Sequence, residues 1–182
     1  MKTKVFLCIL LLALNFSAFG QSNWNNYSMS DNSFDITIHH DTKFLFTGDE
    51  RGNHVGTFDL ALKIEIPFIK FAKSYISIFP SYEYADLHGG VFRRYAVGVG
   101  YIHKGVYFKN LNLGVFPDFG RIYRQNKLTP SFGLGIEVSY RLTKRFSLSY
   151  LHQILERTDL KLLYNDDSYV RNSSFMGFKI HL

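Results

Sequence analysis

The chain has almost no sulfur chemistry to offer. Cys8 is its single cysteine, and it lies within a ten-residue apolar run, Val5 to Leu14, that follows Lys2 and Lys4. A disulfide needs a second thiol and a zinc site needs several ligands, so neither can be built from cysteine here. No other apolar run approaches the roughly 20 residues that a membrane-crossing helix requires. No block of lysine and arginine marks a nucleic-acid surface; the formal net charge of +6 is spread along the chain. Amphipathic helical periodicity is missing as well. Thiolate metal proteins, helical membrane proteins and nucleic-acid binders are thereby set aside.

The first 20 residues read as a secretory signal peptide, with a basic start, a short apolar core and small residues Ala18 and Gly20 before an expected cut after Gly20. Such a cut removes Cys8 and, with Lys2 and Lys4, lowers the net charge by two, from +6 to +4. Residues 21–32, QSNWNNYSMSDN, read as a flexible polar lead-in. Residues 33–182 are then a single domain.

What the chain does have is alternation. In TFDLALKIEIP, Phe58, Leu60, Leu62, Ile64 and Ile66 point one way while Asp59, Ala61, Lys63 and Glu65 point the other. That is the period of a β-strand with one oily and one polar face. Similar segments place strands near 33–46, 54–66, 75–85, 93–103, 109–121, 130–141, 145–155 and 173–182, all paired antiparallel. Four connections are polar and varied: 47–53, 86–90, 123–129 and the long 157–171. Those between strands four and five and between six and seven are short; 68–74 is longer than its place in that set calls for. A faint repeat, SIFPSY at 77–82 and GVFPDF at 114–119, puts a proline at matching places in two hairpins.

Volume decides which face is inside. An eight-stranded barrel encloses just enough room for its own side chains. Some 30 large apolar residues on one face would overfill it, whereas the other face is rich in glycine, alanine and serine. Among those small residues sit Asp59, Lys63, Glu65, Glu83, Arg94, Asp118, Glu137, Arg141 and Lys179, a nearly balanced set that can pair inside. Aromatic residues then collect near strand ends, as Tyr82, Tyr84, Tyr95, Phe119 and Phe132 at one rim and Tyr101, Tyr140 and Phe146 at the other. Interfacial girdles sit at such places. The oil faces out.

With these strands and the terminal SSFMGFKIHL, the chain resembles the small eight-stranded outer-membrane barrels of Gram-negative bacteria, of the OmpA/OmpX transmembrane type. The resemblance lies in pattern, and Leu182 stands where that family usually ends in Phe. It implies an all-β, eight-stranded antiparallel transmembrane barrel, monomeric, inserted by the barrel-assembly machinery, with both ends in the periplasm. Strand one is the irregular member, since His40 and Thr42 interrupt its lipid face; a bulge or a shorter strand is expected there.

Candidate chemistry is sparse. His39 and His40 point to opposite faces and cannot share a metal, and His39 with Asp41 supplies only two ligands; no metal and no cofactor are expected. His152, outward on strand seven near the outer rim, resembles in position the catalytic histidine of the outer-membrane lipid A deacylases, with Glu156 as a candidate acid. Ile154 stands where those enzymes keep a serine, so the nucleophile is missing. Arg121, Arg124 and Lys127 are candidate contacts for lipopolysaccharide phosphates. The expected function is a structural or binding role in outer-membrane lipid, without an open pore or catalysis, through loops whose ligand the sequence leaves open. The alternatives are a lipid A-modifying enzyme and a soluble lipocalin-like barrel.

Overall fold

The computed structural model describes residues 34–49, 52–165 and 169–182. The signal peptide and the lead-in expected from the sequence lie outside them. Eight strands run in order around a closed antiparallel barrel: β1 (Asp35–Asp41), β2 (Asp59–Lys70), β3 (Ser74–Leu87), β4 (Gly90–Lys104), β5 (Leu111–Arg124), β6 (Lys127–Arg141), β7 (Phe146–Glu156) and β8 (Val170–His181). β1 closes the ring against β8, with Ile38 opposite Phe178 and His40 opposite Met176. Closure leaves no unpaired edge, the condition under which strands can cross lipid.

The strands keep the alternation except at the end of β1 and near Pro67–Ile69, where β2 shifts register against β3, and the polar set is inside. Glu65, Glu137, Lys179 and Arg94 are each no more than 2 % exposed, whereas Phe119, Phe132 and Val97 stand more than half exposed on the outside. A soluble, oil-filled barrel is therefore overturned: this outer face is one that only a bilayer can cover. Two apolar clusters do share the lumen. Tyr75, Phe79, Ile102 and Phe116 form one, and Ala85, Phe92, Ile122 and Leu155 the other. The repeat accounts for the first: Phe79 and Phe116 precede the two prolines and meet edge-to-face across the lumen, centroids 5.3 Å apart. The space for them comes from glycine; a Cβ on Gly98 would lie 2.6 Å from the Phe79 ring.

The connections differ from the expected ones in five places. β1 stops at Asp41, the shorter first strand expected from His40 and Thr42, and a short helix α1 (Thr42–Phe46) takes the rest of the span read as strand to residue 46. The Asp41 side chain starts it by accepting a hydrogen bond from the Lys43 amide at 2.7 Å. Two of the four varied connections shrink to two-residue turns at 88–89 and 125–126, because their flanks continue the ladder. Gln125 and Asn126 both take positive φ, 47° and 59°, the backbone of a type I′ hairpin. The 68–74 connection is likewise only 71–73, closed by Phe71 N–H to Ser74 O at 2.8 Å. Within 157–171 lies a second helix, α2 (Thr158–Tyr164). One end of the barrel thus carries both helix-bearing connections; we term it the outer end, following the loop asymmetry of such barrels.

Candidate functional site: the lumen and the outer end

At the centre of the lumen four charges form a ring. Lys63 of β2 reaches Glu65 Oε1 at 2.9 Å and Glu137 Oε2 at 2.5 Å. Lys179 of β8 reaches Glu65 Oε1 at 2.8 Å and also pairs with Glu137. Each ammonium faces two carboxylates, which offsets the cost of taking four charges out of water. The Lys63 ammonium also sits 3.4 Å from the centroid of the Phe116 ring. Toward the chain-terminus end, Tyr75 donates to Glu65 at 3.3 Å, and Asp35 meets His181 Nδ1 at 2.8 Å. His39 faces the same interior, its Nε2 2.9 Å from Ser149 Oγ. Among the described residues no group of three histidine, cysteine or acidic side chains is placed to hold a metal ion.

Toward the outer end, Arg94 pairs with Asp118 and donates from Nε to Ser131 at 2.9 Å. Asp59 and Glu83 face the lumen there as well, but outside any ion pair among the described residues. Arg141 has lumen parity yet is exposed at the opposite rim, so it does not join the buried set. Of the nine lumen charges read from the sequence, six therefore pair as Lys63–Glu65–Glu137–Lys179 and Arg94–Asp118.

A second ion-pair group went unread because it spans a loop. Asp159 of α2 accepts two hydrogen bonds from Arg157, both at 2.8 Å, and lies 3.4 Å from Arg124 Nη1. Burial works against the Asp159 charge, but the Arg157 hydrogen bonds and the charges of Arg157 and Arg124 prevail and hold its carboxyl below the ordinary carboxylate range. Arg124 is consequently a buried clamp for α2, not an outward phosphate contact. Lys127 is exposed at the hairpin rim, and Arg121 is exposed on the lipid side opposite Tyr95. Arg93, which the sequence reading passed over, shares that outer face: it pairs with Tyr84 on β3 and Tyr123 on β5. Tyr82 and Tyr95 pack beside them, ring centroids 4.9 Å apart. Two arginines in an aromatic girdle are what an anionic headgroup region favours.

His152 is outward and half-buried. Glu156 lies four residues further along the extended β7, roughly 13 Å away at strand rise, and cannot orient the imidazole. The neighbouring strand supplies what Ile154 could not. Ser174 of β8 sits opposite His152, with its Oγ 3.2 Å from His152 Nδ1, and it also accepts from the Tyr150 hydroxyl at 3.0 Å. Sequence spacing could not reveal that contact, because only the β7–β8 register creates it.

No protein-family model matches the chain, and no curated protein matches it. Among solved structures, the outer membrane protein Ail of Yersinia pestis, in a phospholipid nanodisc, superimposes with a TM-score of 0.54 at 12% identity, over 84% of this chain and 100% of Ail. The fold is that of a small outer-membrane β-barrel. Neisserial surface protein A (TM-score 0.46, 11% identity, 87% of this chain and 99% of that one) and the N-terminal barrel of Pseudomonas aeruginosa OprF (0.47, 11%, 84% and 98%) also match. The closed ring of eight strands, the oily exterior and the salt-bridged interior of this outer-membrane barrel form one consistent design.

Proposed function

We propose that the protein is a monomeric outer-membrane barrel, inserted by the barrel-assembly machinery, whose role is structural or binding and is exercised at its outer end. The observation that carries this reading is the blocked lumen. The Lys63–Glu65–Glu137–Lys179 ring and the Phe79–Phe116 stack fill the middle of the barrel, so solutes have no through-path. Among the described residues, the connections long enough to meet a partner are 42–49 with 52–58 and 157–165, since 88–89 and 125–126 are minimal turns. Arg121 and Arg93 support contact with lipopolysaccharide phosphates. Reconstitution into planar bilayers should give no stable conductance. Arg93→Ala with Arg121→Ala should lower the lipopolysaccharide that copurifies. Steady ion conductance, or unchanged lipopolysaccharide, counts against the respective half.

The Ser174–His152 contact favours a second reading, a hydrolase acting on acyl esters of outer-leaflet lipid. His152 would take the proton as Ser174 Oγ attacks the ester carbonyl, and return it to the departing alcohol oxygen as the ester C–O bond breaks. It would then deprotonate the water that releases the fatty acid from the acyl-serine. Mass spectrometry of lipid A after overexpression separates the two. The first reading expects an unchanged acyl pattern; loss of an acyl chain that Ser174→Ala abolishes promotes the second.

A further inference from the structure

The lumen pairs its acids with care, and two are left over. Glu65 and Glu137 face lysines, Asp118 and Asp159 face arginines, and Asp35 faces His181. Asp59 of β2 and Glu83 of β3 have no hydrogen bond or ion pair with any described residue, although they are only 5 % and 8 % exposed. The register sets them diagonally on neighbouring strands, Asp59 opposite Ala85 and Glu83 opposite Ala61. Asp41, also lumen-facing on β1, spends one oxygen on the Lys43 amide. Two guanidiniums are near: Arg94, directly opposite Glu83 on β4, is committed to Asp118 and Ser131, and Arg157 is committed twice to Asp159 and stacks 4.1 Å from the Phe92 centroid. Like charges side by side on a sheet repel, and a buried carboxylate without a donor is costly.

These two carboxylates line a cavity of about 1330 Å³ at the outer end, with Phe44, Phe92 and Leu155 among its walls. One Asp59 oxygen is fully buried and unpartnered there. Lys43, Arg124, Arg157 and Arg171 also line it, but Arg124 and Arg157 are held by Asp159, so Asp59 and Glu83 beside the apolar walls are the makings of a site for a cation that brings an apolar body with it. A bare metal ion is the poorer fit, because no three ligands converge among the described residues. We propose that this cavity binds a small organic cation, with an ammonium, amidinium or guanidinium group held between Asp59 and Glu83 and an apolar body against Phe92 and Leu155. The site lies within the lumen and does not depend on which partner the loops meet.

The test uses the full chain in phospholipid nanodiscs, titrated with benzamidinium and followed by backbone amide NMR. Neutral benzamide, of nearly the same shape, and Ca²⁺ alone form parallel arms. Saturable shifts near residues 59, 83 and 92 are expected with benzamidinium only. Asp59→Asn and Glu83→Gln should each weaken binding about tenfold, the scale of one charge-assisted hydrogen bond, while Val97→Ala on the outer face leaves it unchanged. Faster gel migration of unboiled samples checks that each variant closes; if one does not, the benzamidinium–benzamide contrast on the native chain still decides. Equal shifts with benzamide, saturation by Ca²⁺ alone, or no saturable shift with millimolar benzamidinium would overturn the proposal.

Discussion

Lys63 and Glu137 meet across the full width of the lumen, from β2 to β6, at 2.5 Å between Nζ and Oε2. Three strands lie between them on either side of the ring, so their contact fixes the barrel's cross-section more directly than any neighbouring pair. Lys179 of β8 joins the same two carboxylates and ties the closing strand to the same point.

Removing one member of this ring should cost more than removing opposite charges together. Glu137→Leu leaves Lys63 and Lys179 with only Glu65 between them, and breaking a buried pair in this way costs about 3–5 kcal/mol. Lys63→Met combined with Glu137→Leu should be milder than Glu137→Leu alone. Urea unfolding in lipid vesicles measures both; a double variant that loses the sum of the two single losses would show that the ring is not one coupled unit.

The ring was readable because alternation places inward residues without any knowledge of register. Inward or outward follows from odd or even position alone, which is why Asp59, Lys63 and Lys179 could be placed from the sequence. Partners could not be placed, since Glu137 and Lys63 are 74 residues apart and only closure joins them. Ser174 and His152 depended likewise on the β7–β8 register. The inward phenylalanines were hidden for a different reason: Phe79 and Phe116 share their faces with serines and glycines, and only three-dimensional packing shows that small neighbours make room for large rings. At His40 and Thr42 the alternation itself failed, which announced a shorter strand but not the helix α1 that follows it.

The Asp159 clamp carries a pH dependence of definite sign. Its carboxyl is held below its ordinary value of 3.8, so its contribution to anchoring α2 is complete above that value. The contribution is lost as pH falls through the lowered, folded-state value. Pepsin, which works in acid, should nick the 157–169 segment progressively faster below about pH 4, and Asp159→Asn should be nicked already above it. A rate of nicking that stays flat over the same range in both proteins would remove Asp159 from the role of anchor.

Gly177 lies where β8 closes on β1. A Cβ there would fall 1.8 Å from the Ile38 carbonyl oxygen and 2.7 Å from His39 Cα, both backbone atoms that cannot swing aside. Gly177→Ala should therefore strain the seam by roughly 1–3 kcal/mol and reduce the fraction that migrates as a closed barrel on an unboiled gel. Full retention of that fraction, with an unchanged urea midpoint, would mean that the seam accommodates the methyl group.

The segment TFDLALKIEIP offers the sharpest contrast between the two faces, because neighbouring residues there should respond in opposite ways. Leu62 is outward, opposite Ile38 of β1 and Tyr82 of β3, where acyl chains cover it. Leu62→Arg places a guanidinium in hydrocarbon and should destabilise the barrel by about 2–4 kcal/mol if the site lies near mid-membrane, falling toward about 0–1 kcal/mol near an interface. Lys63→Leu leaves the lipid face untouched and instead strips Glu65 and Glu137 of a shared partner, so its loss should be rescued by a second change that removes an acid. No lumen change should rescue Leu62→Arg. Spin labels at 60, 62 and 64 add a direct reading of the same geometry: they should be accessible to oxygen dissolved in the bilayer and shielded from aqueous nickel reagents. Labels at these positions that report water contact would place the apolar face somewhere other than in lipid, and the inside and outside of the barrel would have to be exchanged.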